Sequence, residues 1–294
     1  MKYIISKEHQ GKTVKELLKH LKISSGLMKR LKRLEDGITV NGSHQNVNFV
    51  LKENDVVELR LNDMDEDTNE FLLPVDIPID IIYEDENITV VNKPPNMPTH
   101  QSLNNHGNTL ANALRFRYRE KPYVFRATNR LDKDTSGVVI TANNRLYASI
   151  LSDKIKNGKV KKEYIAIVKG KITNEGVIDA PIGRIGQSII KRIVRQDGER
   201  AVTAYKPLAY CDEISILSVT PITGRTHQIR VHMCHIGHPI IGDGLYFENS
   251  EFISRQALHC AKMEIDEIGS FVAPLPVDMR KVIGRYFTDE EISF

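Results

Sequence analysis

Short apolar runs dominate the chain beyond residue 79, and few segments between them have helical periodicity. Four of these runs have the length and the β-branched content of strands, at 88–92, 137–142, 164–168 and 213–219. Helices are predicted only at about 107–118 and 144–156. Because helices do not alternate regularly with strands, the pattern predicts an α+β fold with a mixed, mostly antiparallel sheet.

The first 61 residues have a different pattern, in which two short helices precede strands. The first helix has apolar residues at i, i+3, i+4 and i+7, namely Val14, Leu17, Leu18 and Leu21. A second helix is predicted between Ser24 and Gly37, with the apolar residues Leu27, Met28, Leu31 and Leu34. Strands are predicted at 38–42 and 56–61, with an Asn-Gly dipeptide forming a two-residue hairpin turn. This region is therefore predicted to be a small α+β domain.

An acidic segment separates the two patterns. Residues 62–70 contain five acidic residues and no basic residue, and Pro74 and Pro78 follow. Such a segment is typical of a linker. The sequence thus predicts a small domain at 1–61, a linker at 62–78 and a large domain at 79–294, which fits a chain of 294 residues with 40% apolar content.

The basic charge is concentrated at the N-terminal end. Residues 1–61 hold 12 Lys and Arg against 7 Asp and Glu, whereas the whole chain has a formal charge of only +3. Four basic residues lie on the second predicted helix, Lys29, Arg30, Lys32 and Arg33. A basic end on a nearly neutral body indicates a polyanionic partner such as nucleic acid, although a solvated surface explains the charge equally well.

Composition favours a cytoplasmic protein without a membrane partner. No run of 18 apolar residues occurs, and polar residues interrupt the N-terminal segment before it reaches the length of a signal peptide. The three cysteines, Cys211, Cys234 and Cys260, include no CxxC pair and fit buried thiols in a reducing compartment.

The stretch NRLDKDTSGVVITA, residues 129–142, is the most informative motif. An Arg-Leu-Asp triplet leads through Thr135, Ser136 and Gly137, which favour a turn, into an apolar strand. Such a turn would hold Asp132 at the mouth of a sheet, with Arg130 nearby. In isolation, Asp132 would more often be a loop carboxylate that caps the turn.

The motif RLDKDTSG resembles the signature of the RluA/RluD family of RNA pseudouridine synthases. Further segments resemble that family in the same order, at 83–100, 161–170, 223–243 and 255–265. The first 61 residues resemble an S4 domain, a small RNA-binding module. One position departs from the family pattern, because Asn129 stands where a histidine usually precedes the triplet.

This resemblance implies the roles of individual residues. Asp132 matches the essential aspartate, Tyr164 the tyrosine against the target uracil, and Arg230 the basic residue paired with the aspartate. Arg130 matches the arginine beside the flipped nucleotide. Ile229 is expected to add apolar packing at the pocket. Arg225, in the same segment, is assigned to substrate binding together with the basic residues of the second helix.

The chemistry is consistent with these roles. Detaching uracil from ribose and rejoining it through carbon is redox neutral and needs no phosphoryl transfer, so no cofactor is expected. An ionised Asp132 can act as nucleophile or base toward a ribose centre that gains cationic character, and a neighbouring arginine favours its ionised form. The uridine must be turned out of the folded RNA, and Tyr164 would hold its flat face.

A cluster of histidines, residues 227–238, contains Cys234 and could suggest zinc. His232, His235 and His238 are spaced by three residues around the thiol, and no CxxC or HExxH element accompanies them. No metal site is therefore predicted. The resemblance instead implies an active-site strand followed by a helix in this segment.

A basic run precedes Tyr164 and comprises Lys154, Lys156, Lys159, Lys161 and Lys162. It is interpreted as a contact to RNA phosphates at the rim of the cleft, with a solvated turn as the alternative.

Two other functions remain as alternatives. A non-catalytic RNA-binding or ribosome-assembly protein of the same fold would account for Asn129, but it would not require Asp132, Tyr164 and Arg230 together. An RNA methyltransferase ranks last, because no glycine-rich loop suited to a nucleoside cofactor is found. The expected substrate is large-subunit ribosomal RNA, with transfer RNA as the second possibility.

Overall fold

The computed structural model of the chain describes residues 1–61, 72–102, 106–120, 123–186 and 190–288. Its buried apolar residues fall into two main clusters, one between Ile5 and Leu59 and the other between Ile88 and Ile283. Most of the predicted linker, residues 62–71, lies outside the described residues. The domain boundaries at residues 61 and 79 therefore stay predictions.

The N-terminal module, residues 1–61, packs two helices on a small sheet. Its elements are β1 (Lys2–Ile4), a 3-10 helix (Lys7–His9), α1 (Val14–His20), α2 (Ser25–Leu31), β2 (Ile38–Val40), β3 (Ser43–His44) and β4 (Val56–Leu59). Within this module the sheet has the order β1-β4-β2-β3 and is antiparallel. Thr13 begins α1 by accepting a hydrogen bond from the backbone N–H of Glu16, whose side chain bonds back to Thr13.

The structure corrects the end of the second helix. Helix α2 ends at Leu31, so Leu34, Lys32 and Arg33 lie beyond it. Gly37 does not terminate the helix. It lies beyond the helix and packs against its last residue, since a Cβ at this position would lie only 2.1 Å from the carbonyl oxygen of Leu31. The predicted hairpin turn is confirmed, since the Asn-Gly pair joins β2 to β3.

The remainder of the chain builds a large sheet with helices. In chain order its elements are β5 (Asp80–Glu84), β6 (Ile88–Lys93), α3 (Leu110–Arg117), β7 (Ser136–Ala142), α4 (Arg145–Lys156), β8 (Val160–Lys169), β9 (Gly176–Asp179), β10 (Ile182–Arg184), β11 (Arg192–Val194), β12 (Val202–Tyr210), β13 (Ile214–Pro221), α5 (Gln228–His235), β14 (Leu258–Ile265), β15 (Gly269–Val272) and α6 (Val277–Ile283). The four strands and two helices predicted here from periodicity are confirmed. In the described ranges, no helix combines the length and apolar character needed to cross a bilayer.

Nine of the described strands form one sheet with the order β5-β6-β7-β14-β8-β13-β12-β9, and β15 pairs with β14. Among the described strand pairs of this sheet only β7 and β14 run parallel, so the predicted mostly antiparallel sheet is confirmed. The parallel contact depends on Gly137, which has a φ of +112° and faces Cys260. A Cβ at Gly137 would lie 2.2 Å from the Cys260 carbonyl oxygen, so only glycine allows the two strands to approach.

The segment 227–238 does not contain the strand that the family resemblance implied. Helix α5 begins at Gln228 and includes Arg230. Apolar residues alternate with polar ones in this segment, which is a strand-like pattern. The structure instead buries both sets, from Gln228 to Met233, and hydrogen bonds satisfy the polar side chains. A helix buried on all sides has no amphipathic period to reveal it.

The N-terminal module contacts the large sheet domain through α4. The backbone N–H of Ser24 donates to Ser149 Oγ at 2.7 Å, and this hydroxyl donates to the carbonyl of Lys22 at 3.2 Å. Leu146 packs against the apolar cluster of the N-terminal module. Lys22 also lies 3.8 Å from Glu267, which forms a 2.8 Å ion pair with Lys154 of α4.

Candidate active site

The loop that precedes β7 is held rigidly through its backbone. Each of four consecutive carbonyls, 131–134, accepts a hydrogen bond. The donors are Thr99 Oγ1, the backbone N–H of Thr135, Lys93 Nζ and Arg255 Nη1, respectively. None of these bonds involves the side chain of Asp132, which lines a cavity of about 410 Å³.

Lys93 of β6 anchors this loop through its side chain. Its ammonium group is fully buried and donates to three carbonyl oxygens, those of Pro94 and Met97 at 2.8 Å and that of Lys133 at 3.1 Å. Burial lowers the pKa of Lys93 to about 7, although the charge of Asp134 acts in the opposite direction. The three acceptors match the three N–H donors of the group, so Lys93 ties the end of β6 to the loop that carries Asp132.

A buried arginine orients the Asp132 carboxylate. Arg230 Nη1 donates to Asp132 Oδ2 at 3.1 Å. Its Nε and Nη2 each donate at 2.7 Å to the two oxygens of Asp243, whose side chain is only 1% exposed. Burial acts to lower the pKa of Arg230, but its bonds with Asp243 and Asp132 outweigh this effect and raise the pKa. Arg230 is therefore a permanent cation locked between two carboxylates.

His227 lies on the other side of the same carboxylate oxygen. Its Nε2 is 3.7 Å from Asp132 Oδ2, and its Nδ1 is 2.8 Å from the hydroxyl of Tyr246. That hydroxyl accepts the backbone N–H of Arg192 and can still donate its own proton to His227 Nδ1. With that donor, the neutral ring carries its proton on Nε2, the nitrogen nearer Asp132. Burial lowers the pKa of His227, which favours this neutral form.

The second oxygen of Asp132 is the group available for chemistry. No hydrogen bond from the described residues reaches Oδ1, and the Asp132 side chain is 19% exposed. The carboxylate thus presents one unpartnered oxygen to the cavity, while Arg230 restricts the other.

Part of the cavity lining is aromatic and apolar. It includes Tyr164 of β8, Ile229 of α5 and Leu258 of β14. Tyr164 pairs with Cys260 across the β8–β14 ladder, and burial together with this neighbour raises the pKa of Tyr164. Burial also raises the pKa of Cys260 to about 12, so neither group is ionised near neutral pH. The wall is therefore a neutral surface suited to a flat, uncharged ring.

The predicted substrate-binding residues are distributed over two regions. Arg130 is exposed and lines both the Asp132 cavity and an adjoining one of about 660 Å³. Arg225 also lines the Asp132 cavity, where its guanidinium pairs with Glu199. The basic residues of the N-terminal module line neither of these two cavities, and Arg30 lines a separate one.

The lysine run before Tyr164 does not act as one surface. Lys154 is buried in its ion pair with Glu267, and Lys159 pairs with Asp266 at 2.8 Å. Lys162 lines the Asp132 cavity, and burial lowers its pKa. Lys156 and Lys161 are exposed. Of the five lysines, only Lys162 lies at the cavity.

Asn129 has a structural task that explains its presence beside the triplet. Its Nδ2 donates to the carbonyl of Val138, and its Oδ1 accepts the backbone N–H of Ile140, both at 3.0 Å. The amide thus pairs the segment before the loop with β7 in the way that a neighbouring strand would. Asn129, in place of the usual histidine, therefore still fixes the segment before Asp132 to β7.

The histidines of segment 227–238 do not converge. His232 is buried, with Nδ1 2.8 Å from Thr203 Oγ1 and Nε2 2.9 Å from the carbonyl of Ala180. His238 Nδ1 lies 2.8 Å from the carbonyl of Lys169. Both ring nitrogens of His232 are occupied within the fold, so this residue cannot serve as a ligand without breaking those bonds.

Sequence reasoning missed several residues that shape the site. Asp243, Lys93, Arg255 and His227 act through partners 13 to 121 residues away in the chain. A signal existed for all four, because each lies in a segment noted for its family resemblance. Asp243 and His227 lie in 223–243, Lys93 in 83–100 and Arg255 in 255–265.

Comparisons with known proteins agree with this arrangement. A sequence model of the family described as RNA pseudouridylate synthase matches residues 87–235. The uncharacterized RNA pseudouridine synthase YjbO of Bacillus subtilis is 41% identical over 281 residues, which cover 92% of this chain and 98% of that protein. The ribosomal large subunit pseudouridine synthase D of Pseudomonas aeruginosa is 35% identical over 284 residues, which cover 88% of this chain and 87% of that protein.

A solved structure is also similar to this chain. Human RNA pseudouridylate synthase domain containing 1 superposes with a TM-score of 0.57 at 27% identity, over 68% of this chain and 83% of that one. The sequence and structure comparisons together confirm the family resemblance and the fold class inferred from the motifs.

Proposed function

This chain belongs to the RNA pseudouridylate synthase family and isomerises uridine in RNA to pseudouridine, and from that premise we propose that its substrate is large-subunit ribosomal RNA and that Asp132 is its catalytic carboxylate. The observation that carries the catalytic assignment is the Asp243–Arg230–Asp132 chain, which leaves one carboxylate oxygen facing the cavity. The ribosomal substrate is supported by similarity to proteins named ribosomal large subunit pseudouridine synthase D.

The proposed reaction needs only groups that the chain supplies. The bond from uracil N1 to ribose C1′ breaks, a bond from C5 to C1′ forms, C5 loses a proton and N1 gains one. The electron count of the base and sugar is unchanged. Asp132 Oδ1 acts on the ribose as nucleophile or base while cationic character develops there. Arg230 holds Oδ2 of the carboxylate by its hydrogen bond and thereby leaves Oδ1 for the substrate, which lowers the cost of orientation.

The remaining predicted residues receive roles in holding the nucleotide. The neutral wall of Tyr164 and Ile229 is suited to contact the face of the uracil turned out from the RNA. Arg130 is exposed, and in this proposal its side chain fills the space that the base leaves. Arg225 has its guanidinium next to Glu199, so its contact with RNA requires phosphate to compete with that carboxylate.

The substrate class is tested by mapping pseudouridines in RNA from cells with and without the gene. We expect one or more uridines of large-subunit ribosomal RNA to lose the modification, because similar proteins are named ribosomal large subunit pseudouridine synthase D. The wild-type gene should restore the modification, and a gene encoding Asp132→Asn should not. Loss confined to transfer RNA would move the substrate to that class, and identical maps would contradict the proposal.

We also propose that the N-terminal module is an S4-like RNA-binding domain. Lys29, Lys32 and Arg33 are exposed on and after α2, and the module carries the excess of basic residues. An enzyme that modifies ribosomal RNA meets its substrate in the cytoplasm, so we propose a cytoplasmic location.

Deletion of residues 1–70 is expected to weaken binding to folded RNA and to flatten its salt dependence. Each lost phosphate contact should remove about 0.7 from the slope of log affinity against log salt for single strands. Pseudouridine formation at high RNA concentration should survive, because Asp132, Tyr164 and Arg230 lie beyond the deletion. The measurement is RNA binding between 50 and about 200 mM salt, followed by single-turnover assays.

A full-length variant separates charge from docking. Lys29, Lys32 and Arg33 are replaced together by glutamine, which leaves the Ser24–Ser149 contact in place. This variant should reproduce most of the loss of salt dependence. An unchanged affinity and salt slope in both proteins would show that the module does not grip RNA. A folded deletion protein without activity at saturating RNA would show that the module helps to build the active site.

A further inference from the structure

One cation of the Asp132 cavity has no partner among the described residues. Lys162 of β8 lines the cavity and is only partly exposed. No hydrogen bond or ion pair joins its ammonium group to another side chain or backbone group in the described ranges. By contrast, Arg230 and Arg225, which line the same cavity, are each paired with a carboxylate. Lys162 therefore brings to the cavity a positive charge that no described anion neutralises.

The surroundings of Lys162 do not explain why a charge is placed there. Burial lowers the pKa of Lys162, and Cys260 is the neighbour that acts to raise it. Burial raises the pKa of Cys260 to about 12, so this thiol is uncharged near neutral pH. Glu163 lies on the other face of the strand, where it accepts a hydrogen bond from Ser218 at 2.7 Å. Because an unpaired cation is costly to bury, these surroundings indicate a ligand that supplies negative charge.

The position of Lys162 on β8 relates this ligand to the target base. Residues two apart on a strand point to the same side and lie about 6.6 Å apart. Tyr164, two residues after Lys162, belongs to the neutral wall that is proposed to hold the face of the uracil. In the described ranges, Asp132 pairs with Arg230 and His227 and not with Lys162. The flexible four-carbon stem of Lys162 can therefore bring its ammonium group to the edge of a ring that rests against Tyr164.

Negative charge develops on the base during the proposed reaction. When the bond from N1 to C1′ breaks, its electron pair stays with the uracil and is shared with the oxygens O2 and O4. We propose that Lys162 donates a hydrogen bond to one of these two oxygens and stabilises the uracil as it leaves the ribose. The ammonium group keeps its proton throughout, and an electron pair of the base forms the new bond from C5 to C1′. This proposal rests on the proposed placement of the uracil in the Asp132 cavity.

Lys162→Met removes the charge and keeps an unbranched side chain. We expect its single-turnover rate at saturating RNA to fall about a hundredfold, while RNA affinity stays within about twofold and the salt slope of binding is unchanged. Lys162→Arg, which keeps a cation, should retain more of the rate. Lys206→Met is the matched control, because Lys206 is an exposed strand lysine that lines neither the Asp132 cavity nor the adjoining one. Its rate should equal that of wild type.

The stability of Lys162→Met provides a second readout. An unpaired, largely buried cation is replaced by an apolar side chain, so the variant should unfold at the same denaturant concentration as wild type or at a higher one. A residue that serves the fold would show the opposite change. A lower unfolding midpoint would therefore contradict the proposal, because it would reveal a structural role for Lys162.

Substrates with one altered oxygen test the contact itself. The RNA is a fragment around the uridine that the mapping identifies, with this uridine replaced by 2-thiouridine or 4-thiouridine. Sulfur is a weaker hydrogen-bond acceptor than oxygen. For the thio substitution at the contacted position, the hundredfold difference in rate between wild type and Lys162→Met should shrink to about tenfold or less. For the other thio substitution, the difference should stay as it is for uridine.

Two further results would overturn the proposal. One is a difference in rate that is the same for uridine and both thiouridines, since Lys162 would then contact neither oxygen. The other is an unchanged rate at saturating RNA with weaker and less salt-dependent binding, which would assign Lys162 to a phosphate. The variants are compared on the same RNA, whatever its class, and Asp132→Asn is measured in parallel. Failure of the ribosomal substrate or of the role of Asp132 is thereby distinguished from failure of this proposal.

Discussion

Asp132→Asn is expected to reduce pseudouridine formation by more than about a thousandfold while RNA affinity stays within about twofold of wild type. The substitution is nearly isosteric, and Asn retains an oxygen that can accept the hydrogen bond from Arg230. The four loop carbonyls keep their donors, since none of those bonds involves the Asp132 side chain. Only the ionised oxygen in the cavity is lost.

The assay for this variant is tritium release from RNA labelled at uracil C5, because the proposed reaction removes the proton from that carbon. Asp134→Asn is the matched control. Asp134 belongs to the same loop, and the loop is held there through its backbone carbonyl rather than its carboxylate. The control should retain most of the activity. Turnover by Asp132→Asn comparable to wild type would remove Asp132 from the catalytic role.

Arg230→Met should lower both the single-turnover rate and the stability of the fold. The rate should fall by about a hundredfold or more at saturating RNA, because the Asp132 carboxylate loses the group that orients it. The free energy of unfolding should fall by about 3–5 kcal/mol, because Asp243 would remain as an uncompensated buried charge. Single-turnover kinetics and denaturant unfolding measure the two effects separately.

A double variant separates these effects. In Arg230→Met/Asp243→Asn the buried charge is gone, so much of the lost stability should return. The rate should remain low, because Asp132 still lacks its cationic neighbour. Recovery of the rate together with stability would show that Arg230 acts only by holding the fold. A variant impaired solely in RNA affinity would contradict its pairing with Asp132.

The strands were predictable from sequence because their apolar runs are short, β-branched and bounded by turn residues. For example, the run predicted at 137–142 corresponds to β7, which spans Ser136–Ala142. The second helix was misjudged, because Leu34 continues the helical spacing although the chain already turns after Leu31. The spacing of apolar residues cannot show that Gly37 packs against the carbonyl of Leu31, six residues earlier.

Residues of the site could be predicted only where a family motif assigns them a role. Asp132 and Arg230, 98 residues apart, were paired through family resemblance, and the structure places them 3.1 Å apart. Their catalytic roles stay predictions. In the segment 227–238 the resemblance implied a strand before the helix, whereas helix α5 already begins at Gln228 and includes Arg230. Asp243 could not be derived from periodicity, since its importance arises only when α5 packs beside the following loop and brings Arg230 to it.

The backbone anchoring of residues 131–134 has a consequence for motion. All four carbonyls of this loop are bonded, two of them to the buried side chains of Lys93 and Arg255, so opening the loop alone would be costly in free energy. Closure of this loop over a substrate would require several of those bonds to break at once. If Asp132 is the catalytic carboxylate as proposed, we expect the RNA, rather than residues 131–134, to deform when the nucleotide reaches that carboxylate.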